Sequence, residues 1–363
     1  MNRTIAKKIL LGPLDWGLGH TTRCIPLAQH LQQLGATVFF AGTAAQIAFF
    51  RKSVPDIQPL LLEGYGVTYA QTRRGFLPHL LKQLPHIFRC IRREHLWLDQ
   101  MVQHYGFDGI LSDNRYGLWH SRIPSVFITH QPGLQTGLGN GTNHLFAQFH
   151  QRLMRRFGAV WLVDRSESTG LSGALAHPSV LPEQARYIGL LSQFAAPDST
   201  PSRKAGILIL LSGPEPQRTL LSNRLWQQVQ GFHQQVIFVE GRADAPERRA
   251  AGSVWWFAQL NAAELMPFMQ SAAYVVCRSG YSTLMDAAVL GLSLVLIPTP
   301  GQTEQEYLGR ELFRNGQALC YRQESFDLQK ALEAAATFPF RPLGIPEDAH
   351  AFKAPLDAWY RQL

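Results

Sequence analysis

The chain has 363 residues, 46% hydrophobic and 17% charged, with a formal net charge of +8. At about 150 residues per domain, that length predicts two domains, each able to bury a core without disulfide staples, and it excludes collagen-like or disordered chains. Mean hydropathy is −0.09, and the longest apolar runs, such as Ile207 to Leu211 and Leu292 to Ile297, fall short of the roughly 20 residues that span a bilayer.

The opening residues run directly into Ile9-Leu10-Leu11, too short for a secretory core. Cys24, Cys90, Cys277 and Cys320 are widely spaced, with no CxxC, as expected of reduced thiols in a cytosolic protein. The basic balance favours anionic partners: nucleotides, lipid head groups or nucleic acid.

Short apolar strands alternate with helical patterns throughout, which predicts an α/β fold with parallel sheets. Ile9 to Gly12 reads as a strand, Thr22 to Leu34 as a helix and Thr37 to Ala41 as the next strand. Strands follow at Gly109 to Ser112, Ser125 to Thr129 and Ala159 to Val163. Ala195 to Lys204, rich in Pro, Ser and Thr, reads as a linker. A second series comprises Gly206 to Leu211, Gln235 to Glu240, Ala273 to Cys277 and Leu294 to Pro298. Phe352 to Leu363 is an amphipathic closing helix. The expected domains are 1–198 and 199–345, with a helical tail at 346–363.

Three loops carry candidate chemistry. Gly17-Leu-Gly19-His20 lies between the first strand and helix, where glycines let a ligand approach the backbone. The spacing is not GxGxxG and no acidic residue ends the second strand, so a dinucleotide fingerprint is unsupported. His20 either takes a proton from a hydroxyl or packs the helix start. Next, Ser279, Gly280, Ser282 and Thr283 form a polar turn at a helix start suited to phosphate. Asp286 either accepts the two hydroxyls of a ribose or complements the helix dipole. Finally, Thr303-Glu-Gln-Glu306 matches a capping box, which explains Glu306 and leaves Gln305 facing outward.

Val276-Cys-Arg-Ser-Gly280, Asp286, Gly291, Ile297-Pro298 and Gln305-Glu-Tyr307 resemble the C-terminal half of the family 28 glycosyltransferases. The best-known member of that family adds N-acetylglucosamine to the lipid-linked muropeptide of peptidoglycan. Gly17 to His20 is similar to the family's N-terminal glycine loop, and Ile128-Thr-His130-Gln131 to its His-containing loop. The resemblance is specific over residues 272–308 and loose before residue 200.

The resemblance implies a GT-B fold, two Rossmann-like domains facing a cleft, with the C-terminal helix packing back on the N-terminal domain. It implies a nucleoside-diphosphate sugar donor, UDP-linked, and no separate cofactor. Ser279 and Gly280 would hold the pyrophosphate, Asp286 the ribose, and Gln305 and Glu306 the sugar. Phe257 to Leu260 would read the base through its backbone. The family often has Glu at position 286 and two Gln at 305 and 306, so the donor sugar stays open. The family's second glycine turn is here Leu211-Ser-Gly-Pro-Glu-Pro-Gln-Arg218, where Ser212, Gly213 and Arg218 can reach a phosphate.

No DxD occurs in the chain, so helix amides and a cation, Arg278 or Arg218, would neutralise the leaving group. Arg278 has a structural reading too, as half of an ion pair. His20 is the expected base, with Asp113 and His130 as competitors, and a single displacement would invert the anomeric carbon. Arg73 to Arg93 alternates cations with Phe76, Leu77, Leu80, Leu81, Ile87, Phe88 and Ile91. That pattern suits either an anionic membrane surface at the cytoplasmic face or a stripe packed on the sheet. No nucleic-acid module is visible. The acceptor, lipid-linked or a cell-envelope glycan, would be met by the loops Gly64 to Phe76 and Pro132 to His144. Nucleotide-sugar hydrolysis, epimerisation or non-catalytic sensing are the alternatives.

Overall fold

A computed structural model describes residues 6–66, 76–133, 148–167, 170–178, 180–196, 206–242, 244–245, 248, 252–344 and 349–363. The chain forms two compact units. The first contains Leu77–Gln193, the strands that precede it and Asp348–Leu363; the second contains Phe194–Glu347. Most of the linker and of the two acceptor loops lies outside the described residues.

The first unit has seven strands, β1 (Lys8–Pro13), β2 (Thr37–Gly42), β3 (Gln58–Leu61), β4 (Gly109–Asp113), β5 (Ser125–Thr129), β6 (Ala159–Leu162) and β7 (Ala185–Tyr187), and the helices α1 (Leu18–Gln33), α2 (Ala44–Arg51) and α3 (Phe76–Tyr105). Strand order is β3-β2-β1-β4-β5-β6-β7, and all pairings are parallel. Both faces of such a sheet are covered, so the central strands β4 and β5 are buried at every residue.

The second unit repeats the plan with β8 (Ile207–Leu210), α4 (Gln217–Val229), β9 (Val236–Val239), β10 (Val254–Phe257), α5 (Ala262–Ser271), β11 (Tyr274–Cys277), α6 (Tyr281–Leu290), β12 (Leu294–Leu296), α7 (Thr303–Arg314), β13 (Ala318–Cys320) and α8 (Leu328–Thr337). Its order is β10-β9-β8-β11-β12-β13, again all parallel. Ile209, Phe238, Val276 and Val295 meet in its core under Leu221 and Leu225 of α4.

The closing helix α9 (Lys353–Gln362) returns to the first unit. Trp359 meets Trp161 edge-on at 5.9 Å, and His30 pairs with Asp357 at 2.7 Å. Gly109 leaves the room: a Cβ there would lie 2.6 Å from the Trp359 ring. The two doubly wound sheets and this returning helix are the architecture expected from the sequence.

Four strands lie outside the predicted set: β3, β7, β10 and β13. All four are sheet edges. Edge strands expose one backbone side and need no continuous apolar run, and β3 and β7 are half-exposed accordingly. Helix α1 starts at Leu18, four residues ahead of expectation, because Gly17 (φ 82°) turns the chain directly into it. His20 is thus a first-turn helical residue rather than a loop residue.

Candidate active site

In open α/β sheets ligands gather beyond the carboxyl ends of the strands, where the order reverses. The first sheet reverses about β1, which lies between β2 and β4; the second reverses about β8, between β9 and β11. His20 follows β1 and Asp113 ends β4, while Ser212 follows β8 and Ser279 follows β11. Both sets of expected residues therefore stand at reversal points.

In the first unit, His20 Nδ1 lies 3.1 Å from Asp113 Oδ2. Asp113 is fully enclosed, whereas His20 keeps 15% of its side chain exposed. His130 is buried and reaches the pair through Arg23, whose Nη1 lies 2.9 Å from His130 Nδ1. Arg23 also donates from Nε to Asp113 Oδ2 at 2.7 Å and from Nη2 to Asp113 Oδ1. Burial pushes the Asp113 carboxyl up, but Arg23 and then His20 outweigh it and hold Asp113 at about 2. Burial foremost, then Arg23, lowers His20, with Asp113 opposing. The site holds a neutral imidazole against an ionised carboxylate, and only the imidazole is accessible. Arg23 was legible only as a cation one turn after His20; nothing in its type announced that it would be buried.

In the second unit, α6 begins at Tyr281 with Gly280 as its cap and no side-chain capping bond, and a Cβ on Gly280 would meet nothing within 4 Å. Gly213 stands at φ 106°, a region that excludes most other residues, and a Cβ there would lie 3.6 Å from Thr299 Oγ1. Ser212 is half-buried; so are Ser282, Thr283, Phe257 and Leu260. Asp286 is buried in the second turn of α6.

Several side chains stand differently from expectation. The Thr303–Glu306 capping box does not form: Gln302 caps α7, and Glu306 Oε1 accepts the Gly301 amide at 3.0 Å. Gln305 is buried rather than outward, its Oε1 held by the Thr299 amide at 2.8 Å. Ser279 donates its hydroxyl to the Gln305 carbonyl at 2.7 Å, which locks the two turns together. Arg278 forms no ion pair among the described residues; it donates to the carbonyls of Ile297, Pro298 and Gln217, and burial brings it down to about 10. Arg218 is engaged by Glu215 and the Gly241 carbonyl.

Among the buried polar atoms of this unit with no hydrogen-bond partner in the described residues are Thr299 Oγ1 and Gln302 Oε1. Unsatisfied buried polar atoms cost about 1–3 kcal/mol each unless a ligand or water meets them. Both come from the turn after β12, which the sequence marked only for Gln305 and Glu306. Thr299→Val is expected to raise unfolding stability by about 1 kcal/mol, read by thermal melts.

All four cysteines are free. No helix among the described residues is long and apolar enough to cross a membrane.

Residues 220–351 match the model of the glycosyltransferase family 28 C-terminal domain. No curated protein matches the chain in sequence. Solved structures resemble it over nearly its whole length. The calicheamicin glycosyltransferase CalG4 is 13% identical with a TM-score of 0.65, covering 99% of this chain and 98% of its own. The spinosyn rhamnosyltransferase SpnG is 14% identical with a TM-score of 0.61, covering 98% and 95%; it is also solved complexed with thymidine diphosphate. MurG of Acinetobacter baumannii is 15% identical with a TM-score of 0.53, covering 97% and 95%. Residues 220–351 thus resemble the glycosyltransferase family 28 C-terminal domain, and the chain as a whole has the GT-B fold of the glycosyltransferases it resembles.

Proposed function

We propose that the protein transfers a hexose or N-acetylhexosamine from a UDP-linked donor to an acceptor hydroxyl, with inversion and without a metal ion or other cofactor. The observation that carries this reading is the neutral, accessible His20 backed by the ionised, enclosed Asp113. In this mechanism the acceptor hydroxyl gives its proton to His20 Nε2 as its oxygen bonds the anomeric carbon. The bond from that carbon to the diphosphate breaks in the same step, and the diphosphate keeps the electron pair. The turn at Gly280 and the first amides of α6 receive the departing charge. Asp286 takes the ribose, Gln305 and Glu306 the sugar hydroxyls, Ser212 and Gly213 the phosphates, and the backbone of Phe257 to Leu260 the base. With Gln305 Oε1 committed to the Thr299 amide, Gln305 Nε2 is the atom assigned to the sugar.

The test is incubation of purified protein with UDP-sugars. Release of UDP only when an acceptor is present supports transfer. Acceptor-free turnover marks a hydrolase or epimerase, and tight binding without turnover marks a sensor.

The acceptor is assigned as lipid-linked or part of a cell-envelope glycan, met at the cytoplasmic face of a membrane. Residues 73–75 of the basic stretch, and the side chains of 76–82 with Phe76, Leu77, Leu80 and Leu81, lie outside the described residues; from Gln83 onward the helix divides its faces. Cys90, Ile91, Glu94 and Leu98 are buried, while Phe88, Arg92 and Leu96 are exposed. Phe88 and Arg92 line a cavity of about 290 Å³ together with Trp119, Phe149, Arg152 and Arg156. Aromatic rings beside three arginines suit an anionic, amphipathic surface. At about 1 kcal/mol per arginine, replacing Arg92, Arg152 and Arg156 by Gln is expected to weaken partition onto phosphatidylserine vesicles by about 100-fold, read by co-sedimentation. Equal partition of the variant and the wild type would remove this face from the reading.

A further inference from the structure

Arg23 sits in the second turn of α1, only 2% exposed, and its guanidinium reaches every titratable group of the first-unit site. It meets Asp113 through Nε and Nη2, His130 Nδ1 through Nη1 at 2.9 Å and His20 Nδ1 through Nη2 at 2.8 Å. Cys24 Sγ, 4.0 Å from Asp113 Oδ2, completes the surroundings. Thus Arg23 and Cys24 face His20 from its own helix, Asp113 from β4 and His130 from the segment after β5.

A guanidinium only donates. His130 Nδ1, facing Arg23, must therefore be the acceptor, and its neutral ring carries the proton on Nε2. In that tautomer Nε2 has no lone pair, so His130 is a hydrogen-bond donor rather than a base. Asp113 receives the guanidinium side-on through both oxygens, a geometry that keeps it ionised. At His20 Nδ1 two neighbours make opposite demands: the Asp113 carboxylate calls for a proton there, and Arg23 Nη2 for a lone pair. Arg23 Nη2 has a second acceptor in Asp113 Oδ1, so the form with Nδ1–H facing Asp113 still leaves that donor bonded. Only this form presents a lone pair at Nε2.

We propose that Arg23 is the positioning residue of the site, keeping Asp113 ionised and the His130 proton on Nε2 so that His20 Nε2 is the nitrogen that accepts the substrate proton. The proposal rests on the reading of His20 as base, and its test includes readouts that do not.

Long-range nitrogen–proton spectra of the full-length wild-type protein at pH 7 are expected to show His130 protonated on Nε2 and bare on Nδ1. A proton on His130 Nδ1 overturns the proposal, and this measurement needs no substitution. Arg23→Gln removes the cation beside His20, so the His20 titration moves to higher pH. The ratio of kcat/KM at pH 8 to that at pH 6 then grows about tenfold. Arg23→Lys restores the charge without the fork: the His20 titration returns toward wild type, while kcat stays at least about tenfold down because a point charge cannot hold both partners. An unshifted His20 titration in folded Arg23→Gln overturns the proposal; where that variant does not fold, the wild-type spectrum and Arg23→Lys decide. If His20→Ala retains full turnover, the base reading fails, while the His130 tautomer and the His20 titration still report on Arg23.

Discussion

His20→Ala is expected to lower kcat by about 10²–10⁴-fold, the usual contribution of a positioned general base, with the affinity for UDP-sugar unchanged. The split follows from the fold. His20 belongs to the first unit, whereas the residues assigned to the donor all belong to the second. The cost of the substitution in stability is limited, because Arg23 keeps Asp113 as its partner. Single-turnover kinetics with saturating donor, set against a calorimetric titration, separate the two quantities. Turnover within a few-fold of wild type would take His20 out of the base role.

The sign of the pH dependence is fixed by the same surroundings. A base works in its neutral form, and burial together with Arg23 disfavours the imidazolium. The acid limb of kcat/KM is therefore expected below the ordinary histidine value of 6.5, leaving activity flat through neutrality. A limb above 6.5 would mean that Asp113 governs His20 more strongly than burial and Arg23 combined.

The central strands were legible in the sequence because parallel strands covered on both faces must be apolar at nearly every position, as Ile9-Leu10-Leu11 and Val275-Val276 are. The edge strands were not, since Gln58 to Leu61 is mostly exposed and carries no run to detect. The candidate residues were legible as residue types placed at strand ends: His20, Asp113, Ser279 and Gly280. The site was not legible where the role depends on partners distant in sequence. Arg23 and Asp113 are 90 residues apart, and Thr299 is an ordinary threonine until its hydroxyl is found without a partner. The capping pattern shows the same limit locally. Asn261 to Glu264 forms the box, but Thr303 to Glu306 does not, because the preceding Gly301 (φ 81°) presents its own amide to Glu306.

Asp113→Asn tests the pair from the other side, and both its effects are expected to be large. Asn is nearly isosteric, so packing around position 113 is preserved while the charge is lost. Arg23 is then a cation almost wholly enclosed with no carboxylate, and breaking a buried pair in this way costs about 3–5 kcal/mol. His20 also loses the acceptor that holds its proton on Nδ1, and a base in the wrong tautomer loses about 10³–10⁴-fold in kcat. The stability loss has a distinctive pH signature. Asp113 titrates at about 2 in the folded protein against a reference of 3.8, so it binds fewer protons than in the unfolded chain between those values. Its contribution is complete above pH 3.8 and is lost as pH falls through 2, which amounts to about 2 kcal/mol. Denaturant titrations should therefore show the gap between wild type and Asp113→Asn shrinking by about that amount from pH 5 to pH 2. A gap that stays constant across this range would mean that Asp113 is not held ionised by Arg23, and a variant with wild-type kcat would mean that His20 keeps its tautomer without the carboxylate.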